Sequence, residues 1–164
     1  MAKREWADPL DPSFAQRYGG RWNPPRSFPV LYLNEDVVTA RFNLRAFIDP
    51  WPFEPEDLND KNGPRLIGAT LPRDQVVCDA HTPDGIRALG LPRRYPYERG
   101  TALVPHERCQ PIGQAIKEAG LKGVRTRSAQ TEAGAGRELA WFPATKRSRA
   151  QPIERLDFAQ WYWG

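Results

Sequence analysis

Apolar residues recur along the chain in short runs, some at the spacing of a strand and others at that of a helix. The run Phe28–Leu33 is apolar enough to form a buried strand. In the segment that follows, apolar residues recur at intervals of three and four from Val37 to Phe47, with Asn34 placed to cap a helix and Pro50 to end it. The pattern predicts a strand followed by an amphipathic helix.

The second half of the chain predicts further strands and helices. A clear helix has Pro111 in its first turn and Gly120 just beyond its end, and Ile86–Leu91 favours a shorter helix. The polar segment Ser128–Gly136 is typical of an exposed loop. Together these patterns predict an α+β fold. Segments bounded by Pro or Gly predict four more strands: Leu66–Leu71, Gln75–Cys78, Val124–Arg127 and Leu139–Phe142.

Length, charge and composition narrow the class of protein. A chain of 164 residues without repeats or a long linker predicts one domain over residues 1–164. The net charge of +4 favours an anionic ligand, which leaves a nucleic acid, a nucleotide or an acidic protein open. The charged opening residues contain no apolar signal segment, so we expect a cytoplasmic protein, no membrane span, and reduced thiols at Cys78 and Cys109.

The chain lacks the common phosphate-binding, serine-hydrolase and zinc-protease motifs, and it has no dinucleotide fingerprint. One metal-like pattern is present: Cys78 and His81, then His106 and Cys109, offer the four ligands that a structural zinc requires. Cys78 also continues an apolar run, so a buried thiol is the simpler interpretation. We therefore expect no metal.

A loop near the N-terminus carries the most specific candidate chemistry. Two glycines precede Arg21, and Trp22 and Asn23 follow it before a pair of prolines. An arginine held in such a loop can grip phosphate oxygens, and Tyr32 on the following strand offers a ring for a heterocycle. From these residues alone, a packed structural corner explains the pattern equally well.

Several segments together resemble the RES domain family over roughly residues 17–143, which leaves residues 144–164 as a basic and aromatic extension. The resemblance implies a twisted split sheet with flanking helices, like the ADP-ribosyltransferase fold. It also implies a bacterial toxin that consumes NAD+ as its substrate and is neutralised by an Xre-type antitoxin. The segments that carry the resemblance are Gly19–Pro24, Val30–Leu33, Thr39–Ala40, Gln110–Ile116, Gly120–Val124, Arg127–Ala129 and Leu139–Phe142.

The resemblance also implies roles for individual residues. Arg21 would hold the NAD+ phosphates, Tyr32 would lie against the nicotinamide ribose, and Ser128 would line the pocket. Trp22 and Asn23 would complete the binding loop. The family pattern Thr-Ala-x-x-Glu ends here in Asn43, which would contact ribose hydroxyls in place of the glutamate.

The departure at Asn43 bears on catalysis. Cleavage of the nicotinamide–ribose bond builds positive charge on the sugar, which a carboxylate stabilises and an amide does not. Loss of such a group commonly costs about 10² to 10³ in rate, so the sequence predicts weakened turnover or a protein that only binds its nucleotide or partner. Asp36 and Glu132 are candidate replacements, whereas Glu35 falls on the wrong helix face. Water, phosphate or a protein could each accept the ADP-ribose.

A nucleic-acid-binding module is the competing hypothesis, and a homo-oligomer is also open. Basic residues interleaved with aromatic rings can bind a strand and stack on its bases. A solvated basic tail and an aromatic terminus docked on its own domain are the simpler interpretation. The candidate segments are Lys146–Arg149, Arg93–Arg94 with Tyr95 and Tyr97, and Trp161–Trp163.

Overall fold

A four-stranded sheet lies at the centre of the computed structural model, which describes residues 7–144 and 150–164. Its strands are, in spatial order, β1 (Leu31–Asn34), β7 (Arg137–Trp141), β6 (Gly123–Arg127) and β3 (Cys78–Ala80). Strand β7 is antiparallel to both of its neighbours, and β3 is parallel to β6. Two antiparallel pairs stand apart from this sheet: β2 (Leu66–Thr70) with β8 (Gln151–Leu156), and β4 (Tyr97–Arg99) with β5 (Ala102–Leu103). The predicted α+β fold with a split sheet is confirmed.

Helices pack around these strands in separate apolar clusters. One cluster joins the central sheet to the fourth helix and includes Trp22, Ile116 and Ala140. A second joins the second helix to the C-terminal helix through Leu44 and Trp161. The helices are α1 (Ser13–Tyr18), α2 (Val37–Ile48), α3 (Pro83–Ala88), α4 (His106–Glu118) and α5 (Phe158–Tyr162).

Two helix starts differ from the sequence prediction. The cap of α2 is Asp36, whose carboxylate accepts the Thr39 N–H at 2.7 Å, and Asn34 instead ends β1. Helix α4 begins at His106, so Pro111 lies inside it rather than in its first turn. Because Pro111 is on the exposed side of α4, the helix can lose one backbone hydrogen bond there and still bury Cys109.

The segment predicted as an exposed loop is partly buried. Ser128 has no exposed surface, Thr131 is 6% exposed, and the Gly136 N–H donates to the Thr131 hydroxyl at 2.8 Å. A short 3-10 turn, Glu132–Gly134, lies within the segment. The polar residues there satisfy each other's hydrogen bonds, which is why they tolerate burial.

Strand β3 begins where the sequence predicted a strand to end, because its pairing with β6 decides its position. Cys78 pairs with Val124 and Ala80 with Thr126, whereas Val76 is 65% exposed. The predictions made for residues 1–6 and for Lys146–Arg149 lie outside the described residues. Within residues 7–144 and 150–164, no helix has both the length and the apolar character that a membrane span needs.

Candidate functional site

Polar side chains gather on one face of the central sheet. Glu138 on β7 lies directly opposite Asn34 on β1 and Thr126 on β6. Residues opposite each other on antiparallel strands share a face, and so do residues two apart on one strand. Tyr32 therefore shares this face with Asn34 and Glu138.

A cavity of about 270 Å³ opens beside Tyr32 and Glu138. Its walls come from distant parts of the chain: the first turn of α1, the glycine–arginine loop, strands β1 and β7, and the first residue of α4. The lining residues are Phe14, Ala15, Gly19, Gly20, Arg21, Trp22, Tyr32, His106 and Glu138.

Helix α4 and the segment before it hold the loop that carries Arg21. One guanidinium nitrogen of Arg21 donates to the Val104 carbonyl at 2.8 Å. The Gln110 amide donates to the Gly20 carbonyl at 3.0 Å. At Gly113 the helix and the loop meet so closely that an added Cβ would lie 1.8 Å from the loop's backbone. The position of Arg21 is thus set by packing against α4.

The Tyr32 hydroxyl fixes the same loop from the sheet side. It accepts the Trp22 N–H and donates to the Asn23 side-chain oxygen, both at 2.9 Å. Burial of the hydroxyl raises the pKa of Tyr32 above its usual value, although the side chain as a whole is 39% exposed. Gly20 passes so close that a Cβ there would be 2.5 Å from the hydroxyl oxygen. The hydroxyl is therefore a structural anchor, and the exposed part of Tyr32 faces the cavity.

Three hydrogen bonds hold Asn43, which does not itself line the cavity. Its amide nitrogen donates to the Asn34 side-chain oxygen at 2.7 Å and to a Glu138 carboxylate oxygen at 2.9 Å. Its oxygen accepts from the Ser128 hydroxyl at 3.3 Å. The structure thus links Ser128, Asn43 and Glu138 in one chain of side chains that ends at the cavity.

The structure brings together some of the sequence-predicted site residues and not others. Arg21, Trp22 and Tyr32 line the cavity. Ser128 has no exposed surface and meets Asn43 rather than the cavity.

Asn23 is also fully buried, and its side chain ties the loop to neighbouring backbone. Its amide nitrogen donates to the Ala15 carbonyl at 2.7 Å and to the Phe28 carbonyl at 3.3 Å. With its oxygen bonded to Tyr32, Asn23 holds the loop in place and offers no surface to the cavity.

The acidic residues that the sequence suggested as replacements do not reach the cavity. Asp36 is occupied as the cap of α2, and Glu35 is paired with Arg125 at 2.6 and 2.8 Å. Glu132 is exposed on the 3-10 turn. Asp36 does not replace the glutamate as the sequence suggested, because its carboxylate is bonded to the backbone and hydroxyl of Thr39.

Two titratable residues of the cavity wall, Glu138 and His106, were missed as members of this site. Glu138 precedes the predicted strand Leu139–Phe142 by one residue, and starting that strand one residue earlier would have placed it on the same face as Ala140. His106 was considered only as a zinc ligand. Partial burial and then the charge of Arg21 lower the pKa of His106, which favours its neutral form.

The zinc alternative finds no support in the part of the chain that the structure describes. There, no three or more His, Cys, Asp or Glu side chains converge as a metal site would require. Both cysteines are free thiols, and burial raises the pKa of each.

Two of the aromatic residues proposed to stack on bases are buried in the protein. Tyr95 has no exposed surface, and Trp161 is 1% exposed and donates its indole N–H to the Pro64 carbonyl at 2.9 Å. These rings are therefore not available to a nucleic-acid strand.

Comparison with known proteins gives consistent results. The family model described as RES domain matches residues 2–160. The chain is 28% identical over 117 residues to proteins named NAD(+) phosphorylase MbcT from Mycobacterium tuberculosis and Mycobacterium bovis. That match covers 71% of this chain and 59% of each relative, so the matched part spans little more than half their length.

A solved structure has the same fold. It is the crystal structure of the M. tuberculosis MbcT–MbcA toxin–antitoxin complex, with a TM-score of 0.75 and 23% sequence identity. The superposition covers all of this chain and 86% of the other.

Proposed function

Because this chain belongs to the RES domain family, we propose that it binds NAD+ in the cavity beside Tyr32 and cleaves the nicotinamide–ribose bond, as the toxin of a bacterial toxin–antitoxin system. The name of its mycobacterial relatives, NAD(+) phosphorylase, supports inorganic phosphate as the acceptor. The observation that carries the proposal is the cavity itself, which joins a guanidinium, an aromatic side chain and a carboxylate.

The wall of the cavity that carries Arg21 suits the pyrophosphate of NAD+. Arg21 can form paired hydrogen bonds to phosphate oxygens. Helix α4 begins at His106 on the same wall, so the positive end of its dipole favours an anion there. His106 lies on the same wall, and either ring nitrogen can form a hydrogen bond at the phosphates.

The sheet side of the cavity suits the nicotinamide ribose. The exposed part of Tyr32 offers a ring surface, and the raised pKa keeps its hydroxyl protonated and bonded to the loop. Tyr32 therefore positions the substrate and does not act as a base at neutral pH. A volume of about 270 Å³ holds only part of a dinucleotide, which leaves the adenosine end outside.

The proposed reaction is a displacement at the ribose carbon that carries nicotinamide. The bond from this carbon to the pyridinium nitrogen breaks, and its electron pair neutralises the ring, which leaves as nicotinamide. A phosphate oxygen forms the new bond to the same carbon. The products are nicotinamide and ADP-ribose phosphorylated at that position.

Nicotinamide release from NAD+ tests the proposal, measured by chromatography with and without inorganic phosphate. We expect release that depends on phosphate and falls at least about 10²-fold in Arg21→Ala, because a charged hydrogen bond to the substrate is lost. Arg155→Ala is the matched control, since Arg155 is exposed on β8 and does not line the cavity. No release by the native protein under either condition contradicts the proposal, and release independent of phosphate points to water as acceptor.

An antitoxin is the second part of the proposal. The fold is shared with a toxin solved in complex with its antitoxin, and α1 presents two exposed rings, Phe14 at 68% and Tyr18 at 56%. Their centroids are 4.7 Å apart, and Phe14 lines the cavity. We expect a partner that covers this helix to block nicotinamide release. Addition of the purified product of a neighbouring gene to the assay measures this, and unchanged release at saturating partner argues against it.

A further inference from the structure

We infer that Glu138 is the catalytic carboxylate of this site and that Asn43 is its positioning residue. The inference rests on the proposed cleavage of NAD+ and names the group that stabilises the reacting sugar. It also assigns a role to Asn43, where the family resemblance implies a glutamate.

The reaction needs a negative charge near the ribose. As the glycosidic bond breaks before the new bond is complete, positive charge develops on the ribose carbon and ring oxygen, and a nearby carboxylate lowers the energy of that state. Among the described residues that line the cavity, Glu138 is the acidic one, and it shares the sheet face with Tyr32. The charge therefore lies on the wall where the ribose is proposed to bind.

The fold holds this carboxylate on a rigid element. Glu138 lies on β7, which is bonded to β1 on one side and to β6 on the other. One carboxylate oxygen accepts the Asn43 amide N–H at 2.9 Å. Asn43 is itself fixed by Asn34 and by the buried Ser128 hydroxyl. A group held in this way keeps its orientation when the transition state forms.

The charge of Glu138 is also available to a substrate. The ion pairs found in the described part of the chain place no Lys, Arg or His within 4.0 Å of it, whereas Glu35, between β1 and α2, is paired with Arg125 and Arg137. An amide neighbour orients a carboxylate and leaves its charge in place. Asn43 thus orients the Glu138 carboxylate without neutralising it, and Glu138 supplies the negative charge in the cavity.

Kinetics of nicotinamide release from NAD+ at saturating phosphate test the assignment in four variants. In Glu138→Gln, the side-chain oxygen still accepts from Asn43 but the charge is gone, so we expect kcat to fall about 10² to 10³-fold with KM within about threefold of the native value. Glu154→Gln is the matched control, because Glu154 is an exposed glutamate on β8, and we expect its kinetics to be native.

The other two variants test whether the site lost its carboxylate when Asn43 replaced glutamate or whether Glu138 now supplies it. Asn43→Glu alone puts two carboxylates in contact, which repel each other and raise one pKa, so we expect lower activity than native. Asn43→Glu combined with Glu138→Asn restores one amide and one carboxylate, and we expect at least about a tenfold recovery of kcat over Glu138→Gln. Calorimetry of NAD+ binding shows whether each variant is folded and able to bind its substrate.

Native kcat in Glu138→Gln overturns the assignment while leaving the proposed function standing. Asn43→Glu more active than the native protein also overturns it, because the cavity would then have lacked its carboxylate. Equal loss of NAD+ binding and turnover in Glu138→Gln reassigns Glu138 to a purely structural role. A native protein that releases no nicotinamide overturns the proposed function and this assignment together.

Discussion

Gly113 is the point at which α4 meets the loop that carries Arg21, and replacing it with alanine tests whether this contact holds the site. The added Cβ would lie 1.8 Å from the Trp22 carbonyl oxygen and 2.8 Å from the carbonyl carbon. Both are backbone atoms, so no side-chain rotation relieves the overlap. The helix or the loop must move by about 1.6 Å before the oxygen contact reaches an ordinary distance of about 3.4 Å.

Helix propensity and packing predict opposite effects of this substitution on the free energy of unfolding. Alanine is favoured over glycine in a helix interior by about 1 kcal/mol. Forcing extra volume into a packed contact typically costs about 1 to 3 kcal/mol. The two effects leave a net loss of up to about 2 kcal/mol in the free energy of unfolding, and the upper end is expected because the overlapped atoms are backbone. Because the displaced backbone belongs to the loop of Arg21, we also expect Gly113→Ala to weaken NAD+ binding.

Urea unfolding followed by tryptophan fluorescence measures the change in stability, and calorimetry measures NAD+ binding. The control is Ala115→Gly, since Ala115 is exposed on the same helix and should lose only the propensity difference of about 1 kcal/mol, with native binding. From helix propensity alone, Gly113→Ala would be more stable than the native protein and Ala115→Gly would be less stable. A Gly113→Ala protein that is more stable than native and binds NAD+ normally would refute the reasoning.

Two further predictions concern the groups around the loop. Tyr32→Phe leaves the buried Trp22 N–H and Asn23 oxygen without their partner, so the free energy of unfolding should drop by about 1 to 3 kcal/mol in urea titrations; a smaller change means that water replaces the hydroxyl. The imidazole pKa of His106, followed by proton NMR, should lie below 6.5 and rise in Arg21→Ala, because partial burial and the arginine charge lower it. Because folding lowers the His106 pKa, the unfolded chain takes up this proton at a higher pH than the folded protein does. The contribution of neutral His106 to stability is therefore present above about pH 6.5 and is lost as the pH falls. A measured pKa above 6.5 would contradict the assigned environment.

Local patterns were sufficient for much of the fold. The intervals of three and four after β1 located α2, and Gly120 beyond the end of α4 adopts the positive φ of 82° expected of a residue after a helix. Arg21 and Tyr32 were found for the same reason, because a glycine-rich turn and an adjacent apolar strand are contiguous in the chain. Each of these inferences used residues within about a dozen positions of one another.

Local patterns failed where burial or pairing decided the outcome. Helix α4 starts before Pro111 because Cys109 is buried in the core, and β3 begins at Cys78 because β6 pairs with it there. The sequence predicted only a basic and aromatic extension at the C-terminus, yet β8 pairs with β2 and Trp161 packs beside α2. Such partners lie far along the chain, so no window of sequence contains both sides of the interaction.

The candidate site shows the same division most clearly. The sequence alone determined that the chain is α+β, that Arg21 lies in a glycine-rich loop and Tyr32 in the strand that follows it, and that Asn43 occupies a position where the resemblance implies a carboxylate. Only the tertiary structure decided that Glu138, 95 residues away, meets Asn43, because that contact depends on the register of β7 between β1 and β6. A change of one residue in that register would turn Glu138 to the opposite face of the sheet, and no local property of the sequence reports it.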